Sequence, residues 1–397
     1  MQPDSSSFYE EAKKSILYVT NRPEPVMERG EGMYLWDTDG KRYLDYIGGW
    51  AVTNLGHSPE VIAQALEKQA RRLVNASPGF YNDQMLKFAR LLTDISCFDK
   101  VFFVNSGSEA NEGAIKLARK YGSKFKSGAN EVITTIGSFH GRTLAMMAAT
   151  GKPAWQTLFP PRVEGFVHVP YNDVEGVRAA MGPQTCAVML EPIQGEGGVN
   201  VADAEYISGL RKLCDDNQIL LIFDEVQTGI GRTGTMFAYE QYGVEPDIMT
   251  LAKGIGGGVP LSAVLAKARL DIFDAGDQGG TYSGQPLMAA VGQAVVREII
   301  DGGWCENARQ QGEYIVQRLE EIKERFGLQR IRGRGLLLGF DLPREMGQEV
   351  VAAAREEGLL LNSPQPATIR LMPPLIVARE QVDEMIEILV KVLSRLV

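Results

Sequence analysis

Between residues 51 and 290, seven short apolar runs alternate with segments of helical periodicity, and that alternation leaves few folds open. The runs 101–104, 131–136, 166–169, 187–190, 220–223, 248–251 and 263–266 have the length and the uninterrupted apolar character of buried strands. Apolar residues at three-four spacing predict helices over 59–73, 84–95, 108–121 and 203–216. Strands parted by helices form a mostly parallel sheet covered on both faces, so the predicted class is α/β. In such sheets the chemistry collects beyond the carboxyl ends of the strands.

The flanks differ. Residues 1–50 mix short extended pieces with turns, including a predicted hairpin over 30–42 closed by Asp39-Gly40. Residues 291–397 open with long amphipathic helices, pass through an Arg/Gly-rich strand region and end in a helix over 379–396. The expected organisation is a large domain over 51–290, with a smaller α+β domain assembled from 1–50 and 291–397. A hydrophobic content of 44% with 23% charged residues excludes overall disorder. The net charge of −9 argues against nucleic acid or an anionic membrane as partner. The first 14 residues lack the apolar stretch of a secretory signal, and no run reaches the roughly 18 apolar residues of a membrane helix. The expected location is the cytoplasm.

Several familiar chemistries fail on the residues. The strand Leu220–Phe223 with Asp224-Glu225 looks like the magnesium-binding strand of a P-loop ATPase, but no GxxxxGK[ST] accompanies it. Gly229–Gly234 matches GxGxxG, yet Asp224–Thr228 intervene after the strand and no convincing helix follows, which points to a glycine-rich loop. There is no GxSxG elbow; only His57, His140 and His168 could serve a serine nucleophile, and three histidines with four scattered cysteines make a zinc site improbable, so no metal is expected. His57 reads as a turn cap and His168 as structural.

The segments just past the strands share one chemistry. Asn105–Asn111, Gly137–Thr143, Glu191–Gly198, Asp224–Gly229 and Ala252-Lys253-Gly254 carry the groups that an aldehyde cofactor with a pyridine ring and a phosphate requires. These are a lysine for the aldehyde, an acid for the ring nitrogen, a helix N-terminus for the phosphate, an aromatic group for the ring and an arginine for a substrate carboxylate. Lys253 follows an apolar strand, where partial desolvation lowers an amine's pKa. Ser106 and Glu109 have capping-box spacing, which would leave the amides of Gly107 and Ser108 facing an anion. Taken singly, Lys253 also reads as a solvated lysine, Asp224 as a loop cap, Phe139 as core and Arg142 as a surface cation. Their joint occurrence at strand ends carries the reading.

On these motifs, together with Leu35–Asp45, Ala252–Pro260 and Ile369–Leu375, the sequence resembles the class III aminotransferases, pyridoxal-phosphate enzymes of fold type I. The resemblance runs from about Tyr34 to the C-terminal helix. Within the class it is most similar to the enzymes that pass the distal amino group of N-acetylornithine to 2-oxoglutarate in arginine biosynthesis. The resemblance implies the following roles. Lys253 is the Schiff-base lysine and the proton carrier, and Asp224 holds the ring nitrogen. Val226 and Phe139 flank the ring, Gln227 reaches the ring oxygen, and Gly107 and Ser108 bind the phosphate. Thr281 reaches the phosphate in a neighbouring subunit, implying a homodimer with shared active sites. Arg142 takes the carboxylate of the acetylornithine-type donor and Arg370 that of the keto acid, with Glu196 as a gate that pairs with Arg370 when the donor brings no carboxylate there and swings away for the acidic co-substrate. Trp50, Ser283 and Gln285 depart from the usual pattern, which leaves ornithine, succinylornithine, 4-aminobutyrate or a carrier-bound lysine as alternative donors. An alternative of another kind is a cofactor-binding regulator without catalysis.

Overall fold

The computed structural model describes residues 5–397; residues 1–4 of the expected N-terminal segment lie outside the described residues. All seven apolar runs are strands of one sheet: β1 (Lys100–Val104), β2 (Glu131–Thr135), β3 (Phe166–Val169), β4 (Thr185–Leu190), β5 (Leu220–Asp224), β6 (Ile248–Leu251) and β7 (Ser262–Ala266). Their order across the sheet is β1-β7-β6-β5-β4-β2-β3. From β6 to β3 each neighbouring pair is parallel, whereas β7 runs antiparallel to both β6 and β1. The reversal follows from the connection. Residues 252–261 are too few to cross back over the sheet through a helix, so the chain must return alongside β6. Every residue of β4, β5 and β6 is buried, which is why these strands read as continuous apolar runs and not as alternating ones.

The predicted helices form over Glu60–Ala70, Asp83–Asp94, Gly107–Phe125 and Ala204–Asn217. The helix Pro286–Asp301 packs on the first two of these. Two expectations about the N-terminal region need correction. The segment over 30–42 is not one hairpin but part of a three-stranded meander, Met27–Glu31, Tyr34–Asp37 and Arg42–Asp45, because Gly32, at φ 54°, turns the chain once more. The expected turn at Asp39-Gly40 is present, with Gly40 at φ 82° and the Asp37 carboxylate accepting from the amides of Asp39 and Lys41. A helix, Ser5–Ser15, stands where short extended pieces were expected; its polar sequence carries no apolar stripe to announce it.

Leu359–Leu360 adds to the meander beside Arg42–Asp45, so segments near both ends of the chain share one sheet. A second small antiparallel sheet joins Gln329–Arg334, Leu337–Asp341, Thr368–Leu371 and Asn362–Gln365. The Gly229–Gly234 loop ties these parts together. Its Arg232 is fully buried and donates to the carbonyls of Leu336 and Pro373 and to Asn54 Oδ1. The GxGxxG match is therefore a structural anchor, and only the short 3₁₀ turn Ala238–Tyr242 follows it. Among the described residues no helix is long and apolar enough to cross a membrane.

Candidate active site

The carboxyl ends of β5 and β6 open into a cavity of about 370 Å³. Asp224 is the last residue of β5, and Lys253 lies just beyond β6 in a short 3₁₀ turn, at φ 49°. The cavity is also lined by Gly107, Ser108, Phe139, Glu196, Val226 and Gln227, so eight of the eleven expected site residues meet in one place.

Asp224 is held at three points. Its Oδ2 accepts from Asn111 Nδ2 at 2.8 Å and lies 2.7 Å from His140 Nδ1, while its Oδ1 accepts from the Val226 amide at 3.0 Å. Asn111 is itself fixed, donating to the His140 carbonyl at 2.7 Å and accepting from Thr250 Oγ1 at 2.6 Å. The carboxylate is buried and cannot rotate without breaking several of these bonds. Burial lowers the pKa of the Lys253 amine, and the charges of Asp224 and Glu196 only partly oppose it. A buried amine of lowered pKa beside a clamped carboxylate can act as a nucleophile and as a proton carrier.

The helix Gly107–Phe125 presents its N-terminus to the same cavity. Ser106 Oγ accepts from the Glu109 amide at 3.3 Å, and Glu109 reaches back to the Asn105 amide at 3.1 Å, one residue earlier than in the usual capping box. The first-turn amides of Gly107 and Ser108 have no intrahelical acceptor, which suits them to an anion. Gly107 leaves room that a side chain would take, since a Cβ there would stand 2.9 Å from Val226 Cγ1.

Arg370 comes from the second small sheet, on Thr368–Leu371, and is fully buried. Its guanidinium pairs with Glu196 Oε1 at 2.7 Å and donates to Asn362 Oδ1 at 3.0 and 2.7 Å and to Gln227 Oε1 at 3.3 Å. Gly195 permits this packing, because a Cβ at that position would overlap Gln227 Oε1. Burial opposes ionisation of Glu196, but the charge and hydrogen bond of Arg370 outweigh it and hold the carboxyl below its ordinary range.

Arg142 is exposed at the rim, its guanidinium 5.8 Å from the Phe139 ring centroid and 5.1 Å from that of Trp155. Thr281 is not brought to this cavity; it is exposed, within a segment whose neighbours Gly280 and Ser283 line a second cavity with Phe80 and Tyr81. Trp50 is exposed, in a left-handed run from Gly48 to Ala51, and Gln285 stands at the N-terminal boundary of the helix Pro286–Asp301 without a side-chain hydrogen bond to it. His57 pairs with Asp45 at 2.8 Å, and His168 lies 3.1 Å from the Ala149 carbonyl.

Sequence reasoning missed three residues. His140 and Asn111 both sit inside motifs singled out above, and Asn111 stands one helical turn after Gly107, on the face turned to the site. The third is Glu191, which lines the cavity and accepts from the Phe139 amide at 2.9 Å. Burial, with the charge of Asp224 beside it, pushes the Glu191 carboxyl well above its ordinary range. No signal in the sequence separates it from Glu196.

Comparison with known proteins gives the family and the fold. A sequence model described as aminotransferase class-III matches residues 18–393. An acetylornithine aminotransferase of Ralstonia nicotianae is 53% identical over 383 residues, covering 95% of this chain and 96% of its own. The solved ornithine aminotransferase of Toxoplasma gondii is 30% identical and superposes with a TM-score of 0.95 over 99% of this chain and 96% of its own. The solved acetylornithine aminotransferase of Elizabethkingia anophelis is 32% identical, with a TM-score of 0.88 over 99% of this chain and 100% of its own.

Proposed function

The chain belongs to the class-III aminotransferases, pyridoxal-phosphate enzymes of fold type I, and from that premise we propose that it transfers the distal amino group of N-acetylornithine to 2-oxoglutarate, giving N-acetylglutamate semialdehyde and glutamate. The observation that carries the site assignment is the pair Lys253 and Asp224, one amine and one clamped carboxylate on adjoining strand ends of the same cavity. The donor set fits the cofactor: an amine, a buried acid, two free helix-terminal amides and a glycine-made space beside Val226. Bound there, pyridoxal phosphate supplies an electron sink to which an amine substrate is joined.

Each residue then has a task. Gly107 and Ser108 would hold the phosphate, Val226 and Phe139 the two ring faces, Gln227 the ring oxygen and Asp224 the protonated ring nitrogen. His140 and Asn111 keep Asp224 aimed, because together they fix its Oδ2. Lys253 takes a proton from the amine-bearing carbon of the donor and returns one in the reverse half-reaction. Arg142 binds the donor's carboxylate, and Arg370 binds the α-carboxylate of the keto acid.

Glu196 lets one site serve both substrates. A donor that brings no carboxylate to Arg370 meets a paired and nearly neutral guanidinium, whereas the keto acid displaces Glu196 and takes its place. The homodimer with shared sites belongs to the same proposal. Thr281 stands on an exposed segment beside Phe80 and Tyr81, which are 72% and 83% exposed, an apolar surface suited to a second copy. The proposed setting is the cytoplasm and arginine biosynthesis.

Single-turnover reactions of the purified holoenzyme with N-acetylornithine, ornithine, succinylornithine and 4-aminobutyrate test the donor. The expected result is fastest loss of the aldehyde-form absorbance with N-acetylornithine; a faster reaction with another donor overturns that part. Borohydride reduction followed by peptide mapping tests the site, and a label anywhere but Lys253 overturns it.

A further inference from the structure

Lys152 takes no part in the chemistry described so far, yet its ammonium stands over the ring of Phe139, which lines the same cavity. It follows Gly151, whose amide donates to Ser138 Oγ at 3.0 Å and whose carbonyl accepts from the Gly137 amide at 2.8 Å, so the backbone that launches the side chain is pinned. The side chain is half-buried, with its ammonium 5.1 Å from the Phe139 ring centroid and 5.0 Å from that of Trp155. The Arg142 guanidinium faces the same two rings. Two cations therefore converge on one aromatic pair, and neither forms an ion pair with a carboxylate among the described residues. Ring faces hold both cations in position without neutralising them. Burial lowers the pKa of Lys152, with Glu196 partly opposing it and Arg142 adding to it. A nearby anion would relieve that repulsion. Phe139 lines the cavity, which sets the two cations beside it.

We propose that Lys152 is a specificity-determining residue: with Arg142 it forms a two-cation seat, across the Trp155 ring, for the carboxylate at the end of the amine donor remote from the reacting nitrogen. The inference rests on the donor class proposed above and adds the residue that selects within it. Arg142 contributes a planar fork and Lys152 a point charge, a combination that fixes a carboxylate more tightly than either alone. A donor with the same chain and no carboxylate leaves both cations unneutralised and is rejected.

The test compares holoenzyme turnover of N-acetylornithine with that of N-acetylputrescine, which keeps the acetamide and the reacting amine and lacks the carboxylate. Lys152→Met should reduce the kcat/KM preference for N-acetylornithine about tenfold, through KM and with little change in kcat, the loss expected for one hydrogen bond to a charged group. Lys152→Arg should keep most of the preference. Calorimetric binding of N-acetylnorvaline, which has the carboxylate and no reacting amine, should weaken by the same factor in Lys152→Met. Should that variant not accumulate as folded protein, Lys152→Gln carries the same comparison. A wild-type enzyme preferring N-acetylornithine alongside an unchanged preference and unchanged binding in the neutral variant overturns the role of Lys152 alone. A wild-type enzyme that uses neither compound, or prefers N-acetylputrescine, overturns the donor assignment beneath it.

Discussion

Replacing Glu196 by glutamine keeps the size and one acceptor oxygen of the group that faces Arg370 and removes its charge. The guanidinium is fully buried, and its other partners, Asn362 and Gln227, are neutral, so Glu196 is the one carboxylate paired with it among the described residues. After the exchange the hydrogen bond still has one charged partner and keeps a contribution of about 1.5–3 kcal/mol, so what is lost is the attraction of the second charge. For a pair with one partner partly exposed that attraction contributes up to about 1 kcal/mol, roughly fivefold in an equilibrium constant. On the proposed gate the keto acid displaces that pair, so Glu196→Gln should tighten 2-oxoglutarate up to about fivefold. The amine donor, whose chain now lies against an uncompensated cation, should bind more weakly. Stopped-flow absorbance with each substrate alone gives the two affinities from the concentration dependence of each half-reaction. Opposite movements support the gate. Parallel movements, or weaker binding of 2-oxoglutarate, would refute it. Because Arg370 holds the Glu196 carboxyl below its ordinary 4.5, the wild-type pair stays ionised through neutral pH, and its contribution is lost only as pH falls through that depressed value.

Lys253→Ala should abolish turnover while retaining the cofactor, checked by steady-state assay and by the absorbance of the dialysed protein. Lys253→Met should raise the melting temperature of the cofactor-free chain at neutral pH. Burial lowers the amine's pKa in the native state, so the protonated wild-type form costs stability there, and the advantage of methionine should fade as pH rises toward the ordinary 10.5. His140→Asn removes the 2.7 Å contact to Asp224 and should weaken cofactor retention roughly tenfold, measured by equilibrium dialysis, with unchanged retention counting against the clamp. Mixing inactive Lys253→Ala with impaired Thr281→Ala protomers should restore activity as subunits exchange, because one site of the mixed dimer then holds both residues; no gain on exchange would separate Thr281 from the partner's site.

The sheet was legible because its central strands are buried on both faces, which writes them as unbroken apolar runs such as Leu220–Phe223. The direction of β7 was not, since antiparallel return depends on the length of the connection and not on the strand's own residues. The chain reversal at Gly32 and the helix Ser5–Ser15 were missed for a related reason: one rests on a single positive φ, the other on a segment with no apolar stripe. At the site, the residues at and just past strand ends, Asp224 and Lys253, could be placed from the pattern of apolar runs. His140 and Asn111 could not be given a task, because their contact to Asp224 spans 84 and 113 residues and exists only once the sheet is assembled. The Lys152 cluster is a matter of three dimensions in the same way: nothing in Gly151-Lys152-Pro153 announces two aromatic rings.

The register of β5 against β6, with Asp224 opposite Thr250, has a wider consequence. Acid and amine take their spacing from a hydrogen-bonded backbone ladder, with Asp224 at its end and Lys253 two residues past it. The substrate-facing groups, by contrast, stand on separate loops and on a separate sheet. Selection can therefore rewrite which amine is accepted, one rim residue at a time, while the reacting centre keeps its dimensions.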